Sequence, residues 1–142
     1  MTASIEKTVF LRASPEKVWA FLTQPDELAR WFHRSDVPLQ AGQPYKLLGD
    51  DGDGLCWGRV LTAEAPRTLV YTFTHNHLKE HETRVEWTLE PVEGGTRLHL
   101  VHDGFEGAPV SEFDMLCAHD GGWDDHFGRL RERAKDVQLT QV

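Results

Sequence analysis

Apolar residues recur with helical spacing near the C-terminus, over residues 111–137. At about 100° per residue they fall within one arc of about 120°, which is typical of a helix with one buried face. Ser111 is the first residue of this stretch and is of a type preferred at the N-cap. The pattern therefore predicts one long amphipathic helix, whose apolar face consists of Phe113, Leu116, Trp123, Phe127, Leu130, Ala134 and Val137.

The same arc also contains polar and helix-weakening residues. His119 and Asp120 fall within it, and Gly121 and Gly122 interrupt it. Two interior glycines cost about 1 kcal/mol each relative to alanine. We expect either the close approach of a sheet or ligand to the bare backbone, or a kink that turns Trp123 into a cavity.

The rest of the chain predicts one strand, then two short helices, then a series of strands. Residues 4–12 alternate as a strand, Ser14-Pro15 begin a short helix, and Pro25 begins a second one. From Pro38 onwards the period changes to two, with turn residues about every ten positions. Short connections favour antiparallel neighbours, and the five further strands predicted are 43–48, 55–64, 68–75, 82–90 and 96–105.

The alternation within these strands gives the sheet one apolar face. Residues 69, 71, 73 and 75 share that face in one strand, residues 85, 87 and 89 in the next, and residues 98, 100 and 102 in the last. Such a face needs a cover, and the only long amphipathic helix is the one at 111–137. The fold class predicted is α+β.

Composition limits the functions to consider. A chain of 142 residues fits one domain, residues 1–142, and a net charge of −8 argues against nucleic acid or anionic membranes as partners. The sequence has no apolar run of membrane-spanning length and no signal-peptide pattern, so we expect a cytoplasmic protein. Cys56 and Cys117 are expected to be reduced thiols.

Several motifs together resemble one family. ASPEKVWAFLT, PDELARWF, AGQPYKL, GRVLTAEAPRTLVYTF, TRVEWTLEPVEGGTRLHLVHDGF and GGWDDHFGRLRE are similar to the START-like (SRPBCC) superfamily, and within it to the branch named after the activator of heat-shock protein 90 ATPase. The resemblance extends from about residue 4 to residue 135. It implies a helix-grip fold: a curved antiparallel sheet of about six strands wrapped round a long C-terminal helix, two short helices after the first strand, and a cavity between sheet and helix.

The densest titratable cluster is formed by His75, His77 and His81. Imidazole is a zinc ligand, but the cluster lies at a strand end with no cysteine or acidic ligand at a defined spacing. We expect no metal there, and the sequence contains no cofactor motif. His75 and His102 point inward by strand parity, so with Asp120 they are candidate acid/base catalytic residues if they approach one cavity.

The main hypothesis is a non-catalytic binder of a small hydrophobic or aromatic molecule. One alternative is an enzyme of the cyclase, dehydratase or hydrolase type that uses a histidine–carboxylate pair. The resemblance implies a further alternative, a chaperone-associated adapter in the stress response. We expect a monomer or a homodimer, and the predicted ligand-binding residues are Trp31, Tyr71, Phe73, His75, Trp87, Leu100, His102, Leu116, His119, Trp123 and Phe127.

Overall fold

A computed structural model describes residues 3–139, with side chains up to residue 134. Residues 3–139 contain six strands and three α-helices. In order they are β1 (Ile5–Leu11), α1 (Pro15–Thr23), α2 (Pro25–Trp31), β2 (Pro44–Leu48), β3 (Gly54–Glu64), β4 (Thr68–His75), a 3-10 turn (Asn76–Leu78), β5 (Thr83–Val92), β6 (Gly95–Asp103) and α3 (Glu112–Leu139). Among the described residues, no helix is both long and apolar enough to cross a membrane.

The strands form one curved antiparallel sheet in the order β1-β6-β5-β4-β3-β2. The β5–β6 hairpin turns through Glu93-Gly94, and Gly94 has a φ of 90°, which glycine adopts without steric cost. Register shifts between Leu47 and Leu48 and between Val60 and Thr62 interrupt the β2–β3 and β3–β4 ladders. Such bulges bend strands, so they help to curve the sheet towards α3.

The inner face of the sheet carries the core. Val85 pairs with His102, Trp87 with Leu100 and Leu89 with Leu98 across β5 and β6, and all of these side chains are buried. Helix α3 packs against β1 and α2 and covers this face. The predicted α+β helix-grip fold is therefore confirmed.

The long helix begins as the sequence predicts, with one exception in its buried face. Ser111 Oγ accepts a hydrogen bond from the Asp114 N–H at 3.2 Å, as an N-cap does. Phe113 was expected on the buried face, but its side chain is 72% exposed, whereas Met115, about 200° away round the helix, packs against the core. Val137 lies outside the residues whose side chains are described.

Two strand boundaries differ from the prediction by two residues, and the others agree within one residue. The last strand ends at Asp103 rather than at residue 105, and Phe105 is fully buried beyond it. Gly104 has a φ of 89°, and this turn redirects the chain, so that Phe105 packs against the His102 ring. β5 extends to Val92, two residues beyond the predicted end, because Pro91 and Val92 still pair with β6.

Candidate functional site

An open cleft of about 350 Å³ lies between the first half of α3 and the end of β4. This volume is within the range of roughly 300–1,000 Å³ typical of small-molecule sites. Its walls come from α3, from β4 with the turn after it, and from the residue that follows α2. The lining residues are Phe32, Phe73, His75, His77, Met115, Ala118, His119, Gly122, Trp123 and His126.

Phe32 forms one wall because the end of α2 is anchored on two sides. The Trp31 indole N–H donates a hydrogen bond to the Phe21 carbonyl at 2.8 Å, and Arg129 Nε donates one to the Trp31 carbonyl at 3.1 Å. The Phe32 ring is consequently 5.2 Å from the Trp123 ring and stands edge-on to the His126 ring at 4.6 Å.

His75 from β4 and His119 from α3 meet at the cleft wall, with 2.8 Å between their Nε2 atoms. The His77 backbone N–H donates to His75 Nδ1 at 3.1 Å, so the proton of His75 is on Nε2. His119 Nδ1 donates to the Met115 carbonyl at 2.7 Å, so its Nε2 carries the lone pair. His75 is therefore the donor and His119 the acceptor.

His102 is fully buried behind the cleft wall, and both of its ring nitrogens are used. The Trp123 indole N–H donates to His102 Nδ1 at 3.0 Å, and His102 Nε2 donates to Thr83 Oγ1 at 2.8 Å. Thr83 Oγ1 in turn donates to the Phe73 carbonyl at 2.6 Å. This chain of hydrogen bonds holds the Trp123 ring, one wall of the cleft, against the sheet.

Burial favours the neutral form of four histidines at or behind the cleft. It lowers the pKa of His75 to about 4, with neighbouring His119 adding to the effect, and it lowers the pKa of His119 as well. Burial, reinforced by Arg129, lowers the pKa of His126 to about 4, and burial takes the pKa of His102 well below its usual value. At neutral pH the cleft is thus uncharged at these positions.

The structure divides the predicted ligand-binding residues into two groups. Phe73, His75, His119 and Trp123 line the cleft. The others fill the interior or its edge: Trp31, Tyr71, Trp87, Leu100, His102 and Phe127 are buried, and Leu116 is half-buried against the core. The Trp87 indole N–H donates to Tyr71 Oη at 3.0 Å, so these two rings satisfy each other within the core.

Six lining residues were absent from the predicted ligand set. Helical periodicity could have found four of them, because residues 115, 118, 122 and 126 recur at intervals of three and four on the same side of α3 as His119 and Trp123. Phe32 and His77 carried no such signal, since each lies just outside a regular helix or strand. The set comprises Phe32, His77, Met115, Ala118, Gly122 and His126.

The glycine pair leaves this part of α3 open. A Cβ at Gly121 or at Gly122 would meet no heavy atom within 4 Å, so the expected close approach of the sheet is wrong, while the approach of a ligand stays a prediction. Gly122 lines the cleft, whereas Gly121 is exposed outside it. A side chain at Gly122 would project into the cleft and reduce the space for a ligand.

Asp120, the predicted carboxylate partner of the histidines, lies in an ion-pair cluster elsewhere on α3. Its Oδ1 is 2.7 Å from Lys7 Nζ on β1, and Asp124 is 2.9 Å from the same nitrogen. Hydrogen bonding to Asp120 is the main reason that the pKa of Lys7 is raised. The Asp120 side chain is 55% exposed, and His102 has its two hydrogen-bond partners elsewhere.

Two further observations bear on chemistry at the site. Among the described residues, no group of three or more His, Cys, Asp or Glu side chains is arranged to hold a metal ion. Burial raises the pKa of the Cys56 thiol to about 12, so this thiol is protonated and unreactive at neutral pH.

A second cavity, of about 360 Å³, lies on the other side of Phe32. It is more polar than the cleft, because His33, Arg34 and Asp50 line it together with Phe32. The Phe32 ring is therefore the shared wall of two adjacent spaces.

Comparison with known proteins gives a consistent result. Residues 12–135 match the family model described as Activator of Hsp90 ATPase homolog 1-like protein. A comparison with curated protein sequences finds no match.

Three solved structures illustrate the similarity. Protein MLL2253 from Mesorhizobium loti superposes with a TM-score of 0.81 and 26% identity, over 95% of this chain and 98% of that one. DynU16, a putative protein in the dynemicin biosynthetic locus, superposes with a TM-score of 0.78 and 26% identity. The match covers 93% of this chain and 47% of DynU16. The Aha1 dimer from Colwellia psychrerythraea has the same fold, with a TM-score of 0.73 and 22% identity over 92% of this chain and 94% of that one. The predicted family is confirmed: the chain belongs to the Activator of Hsp90 ATPase homolog 1-like proteins.

Proposed function

We propose that this protein binds a small hydrophobic or aromatic molecule in the cleft between α3 and β4. The observation that carries the proposal is an open space of about 350 Å³ whose walls include aromatic rings and the neutral side chains of His75, His119 and His126. An apolar ligand gains free energy in proportion to the apolar surface that it removes from water. Uncharged imidazoles favour a neutral ligand over an ion.

The walls are held in place before any ligand arrives. Trp123 is fixed by its hydrogen bond to His102, and Phe32 by the anchoring of the preceding residue to α1 and α3. A preformed site loses less conformational entropy on binding than a mobile one. This rigidity supports a binding role for the cleft.

The glycine pair provides a matched test of the proposal. We expect Gly122→Leu to fill the cleft and to weaken binding of naphthalene at least about tenfold, whereas Gly121→Leu leaves binding unchanged. Equilibrium dialysis measures both affinities, and circular dichroism checks that both variants fold. Equal binding by the two variants would place the naphthalene site elsewhere, and no binding by the wild type would refute the proposal for this ligand class.

The natural ligand is best identified from a cell extract. Native mass spectrometry of the wild-type protein after incubation with extract should show a retained small molecule. The Gly122→Leu variant, treated in the same way, should not retain it, while Gly121→Leu should.

The predicted enzyme stays an alternative, and the similarity to DynU16, whose name places it in a biosynthetic locus, supports testing it. Turnover of aromatic or polyketide-like substrates, lost on substitution of the predicted catalytic residues His75, His102 or Asp120, would favour it. The family name likewise supports testing the predicted chaperone-associated adapter. A pull-down with heat-shock protein 90 would test it.

The dimeric Colwellia protein supports testing whether this protein is a homodimer. Size-exclusion chromatography with light scattering would distinguish a homodimer from a monomer.

A further inference from the structure

The histidine pair at the cleft wall has a fixed direction. The outer nitrogen of each ring is bound to a backbone group: His75 Nδ1 to the His77 N–H, and His119 Nδ1 to the Met115 carbonyl. Backbone groups cannot change from donor to acceptor, so the tautomer of each neutral ring is set. At the inner positions, His75 Nε2 is always the donor and His119 Nε2 always the acceptor.

This arrangement limits what a ligand can do at the pair. Any polar ligand group that contacts both inner nitrogens replaces the present 2.8 Å hydrogen bond between them. It must accept from His75 and donate to His119, otherwise one half-buried polar group loses its partner. An ether or ketone only accepts, and an ammonium group only donates.

We propose that the ligand carries a phenolic hydroxyl, which inserts between His75 Nε2 and His119 Nε2 while its ring lies against Phe73 and Trp123. The hydroxyl oxygen accepts from His75, and its hydrogen is donated to His119. Insertion widens the separation of the two nitrogens from 2.8 Å to about 4.5 Å, as two consecutive hydrogen bonds require. This inference rests on the proposed binding function and adds the chemical class of the ligand.

The surroundings favour a neutral phenol over an ionised group. A carboxylate has no hydrogen to donate to His119, and neither member of the pair carries a positive charge at neutral pH. The rings of Phe73 and His119 stand nearly perpendicular at 6.3 Å, so an aromatic ring held at the pair meets the edge or face of another ring.

Three matched ligands test the inference by isothermal titration calorimetry. We expect 2-naphthol to bind at least about tenfold more tightly than 2-methoxynaphthalene, which has an acceptor but no donor, with naphthalene as the apolar reference. If the three ligands bind with equal affinity, the hydroxyl inference is wrong and the binding proposal stands. If none binds, the proposed function itself fails.

Variants then assign the discrimination to the pair. His75→Phe and His119→Phe should each reduce the ratio between the affinities for 2-naphthol and 2-methoxynaphthalene to about one. The control is His99→Phe: His99 lies on the outer face of the sheet, where it bonds to Thr8 at 2.7 Å, and its loss should leave the ratio unchanged. A ratio that persists in both cleft variants would overturn the inference.

A measurement on the wild-type protein makes the test independent of variant folding. In ¹⁵N spectra of histidine-labelled protein, 2-naphthol should shift the Nε2 resonances of His75 and His119, and naphthalene should leave them nearly in place. Equal shifts with both ligands would contradict insertion of the hydroxyl.

Discussion

Thr83 supplies the one hydroxyl that connects His102 to the sheet, and replacing it with valine is a sharp test of the network behind the cleft. Valine keeps the shape of the side chain and removes its two hydrogen bonds, to His102 at 2.8 Å and to the Phe73 carbonyl at 2.6 Å. Both partners are buried, so water cannot replace the hydroxyl. Each unsatisfied group costs about 1–3 kcal/mol.

The expected loss can be worked out from these contacts. Two unsatisfied groups cost about 2–6 kcal/mol, and the more favourable burial of the added methyl group returns about 1 kcal/mol. We therefore expect Thr83→Val to lower the free energy of unfolding by about 3 kcal/mol, and the Tm by about 6–12 °C. Urea unfolding monitored by circular dichroism measures the first quantity, and calorimetry measures the second.

Thr8 offers a control with the same chemistry in a different environment. Its Oγ1 hydrogen-bonds to His99 Nδ1 at 2.7 Å on the exposed face of the sheet. There water can take the place of the hydroxyl, so Thr8→Val should cost at most about 1 kcal/mol. If the two substitutions lower the free energy of unfolding equally, burial does not determine how much the Thr83 hydrogen bonds contribute to stability, and the reasoning is refuted.

Three further predictions concern the cleft and its histidines. Gly121→Ala and Gly122→Ala should each stabilise the protein by about 0.5–1 kcal/mol in urea unfolding, because alanine favours the helix and meets no atom within 4 Å; a loss of stability would show that the space is not free. Because burial lowers the pKa of His75 and His126 to about 4, the unfolded chain, whose histidines titrate near about 6.5, binds protons first as the pH falls. The stability that these neutral histidines contribute is therefore complete above about pH 6.5 and is lost as the pH falls towards 4. His75→Phe should reduce the slope of the free energy of unfolding against pH in this interval. An unchanged slope would contradict the lowered pKa of His75. Phe32→Ala should join the two cavities of about 350 and 360 Å³. A longer ligand such as 2-phenylnaphthalene should then bind more tightly to the variant than to the wild type in equilibrium dialysis. Equal affinity of the two proteins for this ligand would show that Phe32 does not separate the cavities.

Much of the fold could be predicted because it depends on periodicity. The period of two placed Phe73 and His75 on the inner face of β4, and the helical period placed Trp123 on the covered face of α3. The structure has all three of these side chains at the cleft. Local chemistry also sufficed for Ser111, whose hydroxyl caps α3 because an N-cap needs only its own sequence neighbours.

Periodicity was too coarse to separate residues that are close on one helix. His119 and Asp120 differ by about 100° round α3, and both fall within the arc that defined the predicted buried face. In the structure His119 faces β4 and bonds to His75, whereas Asp120 faces Lys7 of β1. The position of α3 across the sheet decides this, and it depends on packing between residues more than 100 positions apart.

The sequence by itself determined most of the side chains that turn inward, because periodicity is a property of each helix or strand alone. Only the tertiary structure decided where the interior is filled and where it stays open. Trp87 lies 6.1 Å from Trp31 and 5.9 Å from Phe127, and these rings close the centre of the molecule. Beyond Trp123 the helix presents Gly122 and Ala118 instead of large side chains, so the space next to His75 and His119 remains free.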